Sequence, residues 1–204
     1  MKPPINAAFF DLGNVLINFD FTLAKQRMAD RSPMSLEDIE KAFFRMPEFL
    51  DFECGRITAP EFFRALAEAV RFEGEPGELR PIFCEIFHPN TENIALVREL
   101  LPQMPVFLVS NSNEAHIEYI EARYDFLKEL NHLFYSHRIM ARKPEPRFYE
   151  IVLERSRQVA AHSVFIDDLE TNLRAAAAAG FHTVQVVPGK TDLRAELRKL
   201  GLGV

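Results

Sequence analysis

Five short, almost uninterrupted apolar segments recur along the chain, and this pattern limits the architectures open to it. They span residues 7–10, 106–109, 133–136, 163–166 and 183–187. Continuous apolar runs of this length are typical of strands that are covered on both faces. Between the last four segments, helical patterns lie at residues 114–123, 147–157 and 171–179. Strands that alternate with helices predict an α/β fold with a doubly wound parallel sheet.

The interval between the first and second predicted strands, residues 11–105, is far longer than a simple crossover connection needs. Most of it has helical periodicity, as at Phe62, Leu66 and Val70. The interval therefore predicts a small α-helical domain inserted into the α/β domain. We assign a core domain to residues 1–18 and 89–204, and a helical cap domain to residues 19–88.

Composition and charge narrow the class of protein. The 204 residues carry a net charge of −6, which argues against broad affinity for nucleic acid or acidic membranes. No apolar run approaches the roughly 20 residues of a membrane-spanning helix, and the first residues lack the apolar stretch of a secretory signal. Cys54 and Cys84 form no C-x-x-C pattern, which favours reduced thiols. We expect a cytoplasmic protein, either a monomer or a homodimer.

Polar residues follow the predicted strands, at the points where reactive groups gather in open parallel sheets. These residues are Asp11 and Gly13 after the first strand, Ser110 and Asn111 after the second, Lys143 after the third, and Asp167 and Asp168 after the fourth. Carboxylates suit Mg²⁺, a hard cation that prefers oxygen ligands. A lysine, a hydroxyl and backbone N–H groups suit a phosphate. We therefore predict a Mg²⁺ and phosphate site that acts on a small phosphorylated metabolite.

Asp11 is the candidate nucleophile of this set. Its carboxylate can attack phosphorus and divide one displacement into two through an aspartyl-phosphate. Lys143 and Mg²⁺ can neutralise the charge that would otherwise repel it. Each motif alone has a plainer explanation, since Asp11 and Gly13 can form a strand-to-turn exit. Likewise, Asp168 or Asn113 can cap a helix. The placement of all four motifs at strand ends favours the catalytic interpretation.

Four short motifs occur in a recognisable order along the whole chain. They are Phe10-Asp11-Leu12-Gly13-Asn14-Val15, Val109-Ser110-Asn111, Lys143-Pro144-Glu145-Pro146 and Phe165-Ile166-Asp167-Asp168. In these motifs the sequence resembles the haloacid dehalogenase (HAD) superfamily, and the predicted insert sits where that family places its helical cap. The resemblance implies a HAD-like hydrolase with a Rossmann-like core.

The resemblance also implies which residues hold the metal. Asp11 would be both nucleophile and Mg²⁺ ligand, and the carbonyl oxygen of Gly13 would be a second ligand. Asp168 would be the acidic ligand of the last motif, with Asp167 acting directly or through water.

The remaining matches imply the phosphate-binding and catalytic residues. Ser110 would bind the transferring phosphoryl group, helped by the Asn111 backbone. Lys143 would neutralise charge beside it, so that Ser110 and Lys143 act in catalysis together with Asp11. The Lys-Pro-x-Pro run suggests a defined bend, with an unusual isomer of the Lys143–Pro144 bond.

Gly13 is a departure from the family pattern. Phosphatases of the family usually carry a second Asp at this position, which serves as general acid and then base. A positioned acid is worth roughly 10² to 10⁴ in rate, so its loss disfavours ordinary alkyl phosphates. The run from Asp11 to Phe21 looks like a subgroup related to bacterial sugar-1-phosphate phosphatases and to the phosphatase domain of epoxide hydrolases, which favours a phosphatase, with a sugar phosphate as one candidate substrate.

Two alternatives to a phosphatase stay open at this point. A haloacid dehalogenase would also lack the second Asp, although such enzymes need no metal. A non-catalytic module that binds a phosphate ligand is the other, because of Gly13. In all three cases we expect the cap to contact the ligand, with Phe19, Phe21, Glu53 and Arg56 as the candidate residues.

Overall fold

The computed structural model describes residues 4–204, and its centre is a five-stranded parallel sheet in the order β5-β4-β1-β6-β7. The strands of this sheet are β1 (Ala7–Phe10), β4 (Val106–Ser110), β5 (His132–Tyr135), β6 (Ser163–Asp167) and β7 (His182–Gln185). Each pairs in parallel with its neighbours. The predicted doubly wound α/β fold is therefore confirmed, with strand bounds within two residues of those expected.

Helices cover both faces of this sheet. Successive side chains of a strand point to opposite faces, and in these strands both sets are apolar, so each face needs a cover. In β1, Ala8 and Phe10 join the apolar cluster beneath α6 (Thr91–Leu100), α7 (Glu114–Glu121) and α11 (Leu193–Lys199). Ala7 and Phe9 join the opposite cluster, beneath α9 (Pro146–Ser156) and α10 (Glu170–Ala178). Burial on both faces explains why the strands are continuous apolar runs.

The inserted segment is helical, as its periodicity predicts. It contains α1 (Thr22–Ala29), α2 (Leu36–Arg45), α3 (Pro47–Glu53), α4 (Ala59–Ala69) and α5 (Leu79–Cys84). These helices enclose an apolar cluster of their own that includes Phe52, Phe62 and Phe83. The separate cluster supports the proposed division into core and cap. Cys54 and Cys84 are buried free thiols.

A two-stranded antiparallel ribbon, absent from the predicted elements, connects the cap to the core. β2 (Ile17–Phe19) pairs with β3 (Phe87–Pro89), with Phe19 opposite Phe87. Strands of three residues are too short to show an alternating pattern in the sequence, which is why they were not predicted. The ribbon holds both connections of the cap together at one edge of the core.

The loop after α3 anchors the cap to the short helix α8 (Ser136–Ile139) of the core. Ser136 Oγ donates a hydrogen bond to the carbonyl oxygen of Glu53 at 2.6 Å. Gly55 has a φ of +66°, and a Cβ there would collide with the carbonyl oxygen of His137. The close approach of the two backbones therefore requires glycine. No helix within residues 4–204 has the length and apolar character needed to cross a membrane.

Candidate active site

The carboxyl ends of the central strands bring three carboxylates together. Asp11 directly follows β1, Asp167 ends β6, and Asp168 is the next residue. One oxygen from each lies within 4.8 Å of the others. Asp11 and Asp167 are buried and Asp168 is half-buried. The predicted convergence of these residues is what the sheet order produces, because β1 and β6 are hydrogen-bonded neighbours.

The ammonium group of Lys143 lies among these carboxylates, with only 1% of the residue exposed. Its Nζ is 2.9 Å from Asp11 Oδ1 and 2.6 Å from Asp167 Oδ2. It also donates to the carbonyl oxygen of Val109 at 3.0 Å. A lysine has three donor hydrogens, so the three acceptors satisfy the group completely. The Lys143–Pro144 peptide bond that follows is cis, as the Lys-Pro-x-Pro run suggested.

Asp167 and Asp168 differ in how many of their carboxylate oxygens already accept hydrogen bonds within the protein. Asp167 Oδ1 accepts from the Leu169 N–H and from Asn172 Nδ2, both at 2.9 Å, while its Oδ2 accepts from Lys143. Asp168 Oδ2 accepts from Asn14 Nδ2 at 2.9 Å. Asp168 does not cap α10, so the capping explanation of this residue is wrong. Asp168 keeps an oxygen for a ligand, whereas both oxygens of Asp167 are occupied.

Asn14 and Asn172 were not among the sequence candidates. Asn14 adopts a φ of +56°, a conformation that asparagine tolerates better than most residues. The sequence feature that could have identified Asn14 is its position in the turn after Asp11. Asn172 lies in the first turn of α10, where it faces back to the end of β6.

Burial raises the pKa of Asp11 to about 7, and Asp167 and Asp168 add to the rise while Lys143 opposes it. Burial alone would lower the pKa of Lys143, but Asp11 and Asp167 raise it above its usual range. Burial also raises the pKa of Asp168. Three carboxylates face one ammonium, so an excess of negative charge is gathered in a buried place. A divalent cation with oxygen ligands fits this donor set and would balance its charge.

Ser110 and Asn111 follow β4 at the same rim. Ser110 is buried, and its hydroxyl lies 3.3 Å from the carbonyl oxygen of Asn111. The Asn111 side chain binds the backbone of Lys143 twice, since Oδ1 accepts from the Lys143 N–H and Nδ2 donates to its carbonyl oxygen, both at 2.9 Å. The sequence suggested only a backbone role for Asn111. In the structure its amide also positions the loop that carries Lys143.

A cavity of about 120 Å³ opens between the cap and the core beside these residues. We call it the cap–core cavity, and its wall includes Gly13, Ser110 and Asn111. Its apolar wall residues are Phe19, Phe21, Phe49, Phe87, Ile17 and Ile86, and Glu53, Ser112 and His116 are further polar members. Three of the four predicted cap contacts, Phe19, Phe21 and Glu53, thus reach the cavity wall.

Arg56, the fourth predicted cap contact, does not line this cavity. It is exposed and pairs with Asp51 Oδ1 at 3.0 Å. The arginine that binds the cavity residue Glu53 is Arg142, whose guanidinium donates to Glu53 Oε2 at 3.0 Å. Its position beside Lys143 was the signal in the sequence.

His116 joins the core to the cap in its neutral form. Asn113 Oδ1 accepts from the His116 N–H and so caps α7, which leaves the Asn113 amide group to face His116 Nδ1 at 3.1 Å. Nε2 lies 3.2 Å from the carbonyl oxygen of Phe83 in the cap, so it carries the hydrogen. Burial lowers the pKa of His116 to about 3. The capping explanation of Asn113 is therefore right.

Gly13 lies against the ring of Phe19. A Cβ at position 13 would stand 3.0 Å from Phe19 Cε1. The aromatic ring therefore fills part of the space that a side chain at this position would need. Phe19 in turn contacts Phe21 edge to face, with ring centroids 5.7 Å apart.

Comparisons with known proteins agree on one family. A model of haloacid dehalogenase-like hydrolases matches residues 5–180. D-ribitol-5-phosphate phosphatase of Bacteroides thetaiotaomicron is 22% identical over 196 residues, which cover 92% of this chain and 94% of that protein. Sesquiterpene phosphatase astK of Aspergillus oryzae is 26% identical over 184 residues, which cover 88% of this chain and 89% of that protein.

Solved structures share the fold. A HAD family enzyme of Bacteroides thetaiotaomicron, in complex with magnesium and inorganic phosphate, has a TM-score of 0.84 at 24% identity, over 94% of this chain and 98% of that chain. L-2-haloacid dehalogenase from Xanthobacter autotrophicus has a TM-score of 0.65 at 19% identity, over 98% of this chain and 84% of that chain.

Proposed function

The chain belongs to the haloacid dehalogenase-like hydrolase family, and from this premise we propose that it is a Mg²⁺-dependent phosphatase. Its substrate is the phosphate monoester of a small organic alcohol. The observation that carries the proposal is the meeting of Asp11 and Asp168, at the ends of the adjacent strands β1 and β6, with Lys143 from the loop between α8 and α9. The phosphatase names of the two relatives support it, as does the neighbouring structure with magnesium and phosphate.

Asp11, Asp168 and the carbonyl oxygen of Gly13 would hold the metal ion. When bound, Mg²⁺ supplies positive charge beside the phosphoryl group that is transferred. Asp167 serves as a positioning residue, because its oxygens are held by Lys143, Asn172 and the Leu169 N–H. The ion would also favour the ionised form of Asp11, which burial alone disfavours.

Asp11 begins the reaction as the nucleophile. One of its carboxylate oxygens forms a bond to phosphorus while the bond from phosphorus to the alcohol oxygen breaks, which gives an aspartyl-phosphate and the free alcohol. Water then attacks phosphorus, which restores Asp11 and releases inorganic phosphate. Ser110 and the Asn111 N–H bind phosphoryl oxygens, and Lys143 keeps Asp11 oriented.

The leaving alkoxide takes its proton from water in this proposal. Position 13, where the family usually carries an acid, is glycine covered by Phe19. Esters of acidic alcohols, such as aryl phosphates, should therefore react faster than ordinary alkyl phosphates, since their leaving groups need no proton. The three-carboxylate cluster favours this function over a haloacid dehalogenase, which would have no use for a metal-binding set.

Phosphate release from p-nitrophenyl phosphate and from a panel of alkyl, sugar and acyl phosphates tests the proposal. We expect release with Mg²⁺, none after chelation, and none from Asp11→Asn. Asp30→Asn, an exposed residue of the cap, is the matched control and should keep full activity. Turnover that survives Asp11→Asn or chelation would contradict the proposal. Tight phosphate-ester binding without any turnover would instead identify a binding module.

A further inference from the structure

We infer that the cap–core cavity selects phosphate esters whose alcohol is short and apolar, and that it disfavours esters of polyols. This inference rests on the proposed function and names the substrate class of the same site. The two phosphatase relatives do not indicate which kind of alcohol this chain accepts, because one is named for a polyol phosphate and the other for a sesquiterpene. The inference is instead drawn from the residues that line the cavity.

The cavity has a wall of hydrocarbon side chains. It consists of Phe19, Phe21, Phe49, Phe87, Ile17 and Ile86. Transfer of an apolar chain from water to such a wall is favourable by about 25 cal/mol for each Å² of apolar surface that is buried. An alcohol of four or five carbons would gain from every methylene that it places there.

The polar groups of this wall have little hydrogen-bonding capacity left. His116 uses both ring nitrogens, one with the Asn113 amide and the other with the Phe83 carbonyl oxygen. Glu53 Oε2 accepts from Arg142, which leaves Oε1 to bind a ligand hydroxyl. The Asn111 amide is committed to the Lys143 backbone. A polyol chain would therefore bury several hydroxyls against only the open Glu53 Oε1 and the hydroxyl of Ser112, which also lines the cavity, and buried hydroxyls without a partner are costly.

Phe19 extends the apolar wall to the place where the alcohol leaves. Its ring packs over Gly13, two residues from the nucleophile. A side chain at position 13 would compete with the ring for this space. The absence of an acid at position 13 and the presence of the Phe19 ring are thus linked, because the ring fills the space that an acidic side chain would need.

The size of the cavity limits how much of the alcohol its apolar wall can cover. Its volume of about 120 Å³ is somewhat below the roughly 150 Å³ of a protein cavity that holds benzene. A chain of about five carbons therefore nearly fills the cavity, and a larger leaving group such as p-nitrophenyl would extend through its open side.

Two competitors with the same carbon count test the inference, n-pentyl phosphate and D-ribitol 5-phosphate. Each is added to Mg²⁺-dependent hydrolysis of p-nitrophenyl phosphate, so that binding is measured even where turnover is slow. We expect the inhibition constant of n-pentyl phosphate to be at least about tenfold lower than that of D-ribitol 5-phosphate. Each hydroxyl that is buried without a partner weakens binding by about that factor. Equal or stronger inhibition by D-ribitol 5-phosphate would overturn the inference.

Phe19→Ala locates the preference in the wall. Phe19 is 38% exposed, so its truncation spares the buried core of the cap. The variant should raise the inhibition constant of n-pentyl phosphate about tenfold, through the lost apolar contact, and leave that of inorganic phosphate within about twofold. Phe44→Ala, which removes a 78% exposed ring outside the cavity, is the control and should change neither. A Phe19→Ala variant that binds n-pentyl phosphate as the parent does would also overturn the inference.

The outcomes separate this inference from the proposed function. If hydrolysis of p-nitrophenyl phosphate does not depend on Asp11 and Mg²⁺, the proposed function fails and the inference falls with it. If that dependence holds but D-ribitol 5-phosphate competes better, the phosphatase stands and only the substrate class is wrong.

Discussion

Lys143 Nζ lies 2.6 Å from Asp167 Oδ2, and these two side chains are 1% and 0% exposed. The same ammonium is 2.9 Å from Asp11 Oδ1, so one cation holds two buried carboxylates together. A buried ion pair of this kind contributes little net stability, because desolvation opposes the attraction between the charges. Removal of one partner is nevertheless expensive, since it leaves the other charges buried and uncompensated.

We therefore expect Lys143→Met to abolish activity and to lower the free energy of unfolding by about 3–5 kcal/mol, as urea denaturation at pH 7 would measure. Lys128→Met, at a 74% exposed side chain, should cost no more than about 0.5 kcal/mol. Adding Asp167→Asn to Lys143→Met should restore part of the loss, because one uncompensated carboxylate disappears. A Lys143→Met protein as stable as the parent would show that the carboxylates do not depend on the ammonium.

Asp168 and Asp167 should respond differently to removal of their charge. Asp168→Asn takes away a proposed metal ligand, so the Mg²⁺ concentration for half-maximal activity should rise by at least the roughly 10- to 100-fold that loss of an outer partner costs. Asp167→Asn should act mainly on stability, because Asp167 is bound to Lys143 and Asn172. Mg²⁺ titration and thermal unfolding of both variants separate the two roles. An unchanged Mg²⁺ requirement in Asp168→Asn would exclude it as a ligand.

The strand-end residues of the site could be predicted from the sequence. Asp11, Ser110 and Asp167 each end or directly follow an apolar run, and parallel pairing brings the ends of such runs to one rim. Lys143 also belongs to this group, although it lies on the loop between α8 and α9. The fold class followed from the same apolar runs, because strands buried on both faces leave a clear trace in composition.

The wall of the cavity could not be predicted in the same way. Phe87 comes to Phe19 through the register of a ribbon of three-residue strands, which is too short to leave a pattern. The cap also contains many phenylalanines, and only the packing of its helices decides which face the cavity and which fill the cap interior. Arg56 is an example, because its position after α3 suggested a contact with the ligand, whereas its side chain pairs with Asp51 and does not line the cavity.

Stability should fall in mild acid because of His116. Its pKa is about 3 in the folded protein and near the ordinary 6.5 in the unfolded chain, so between these values the unfolded chain binds the proton. The contribution of His116 to the free energy of unfolding is therefore fully present above pH 6.5 and is lost as the pH falls. The loss amounts to about 2 kcal/mol between pH 7 and pH 5.

Urea denaturation of the parent and of His116→Gln at pH 7 and pH 5 measures this contribution as a difference of differences. The variant should be less stable than the parent at pH 7, since it loses the stacking of His116 on Phe83, whose ring centroid is 4.1 Å away. From pH 7 to pH 5 the free energy of unfolding of the variant should fall by about 2 kcal/mol less than that of the parent. His88→Gln, at an exposed histidine, should follow the parent. Parallel losses in the parent and His116→Gln would assign the acid sensitivity to other groups.

An acid at position 13 should raise activity on alkyl phosphates only when room is made for it. A Cβ there would stand 3.0 Å from Phe19 Cε1, so Gly13→Asp alone must push the ring aside. In Gly13→Asp with Phe19→Ala the space is open. We expect kcat for n-pentyl phosphate to exceed that of Phe19→Ala by about 10²-fold, the lower end of what a positioned acid supplies. Hydrolysis of p-nitrophenyl phosphate, whose leaving group needs no proton, should change within about threefold and is the control. Equal gains in the single and double variants would show that the ring is no obstacle, and no gain in either would mean that proton donation does not limit turnover.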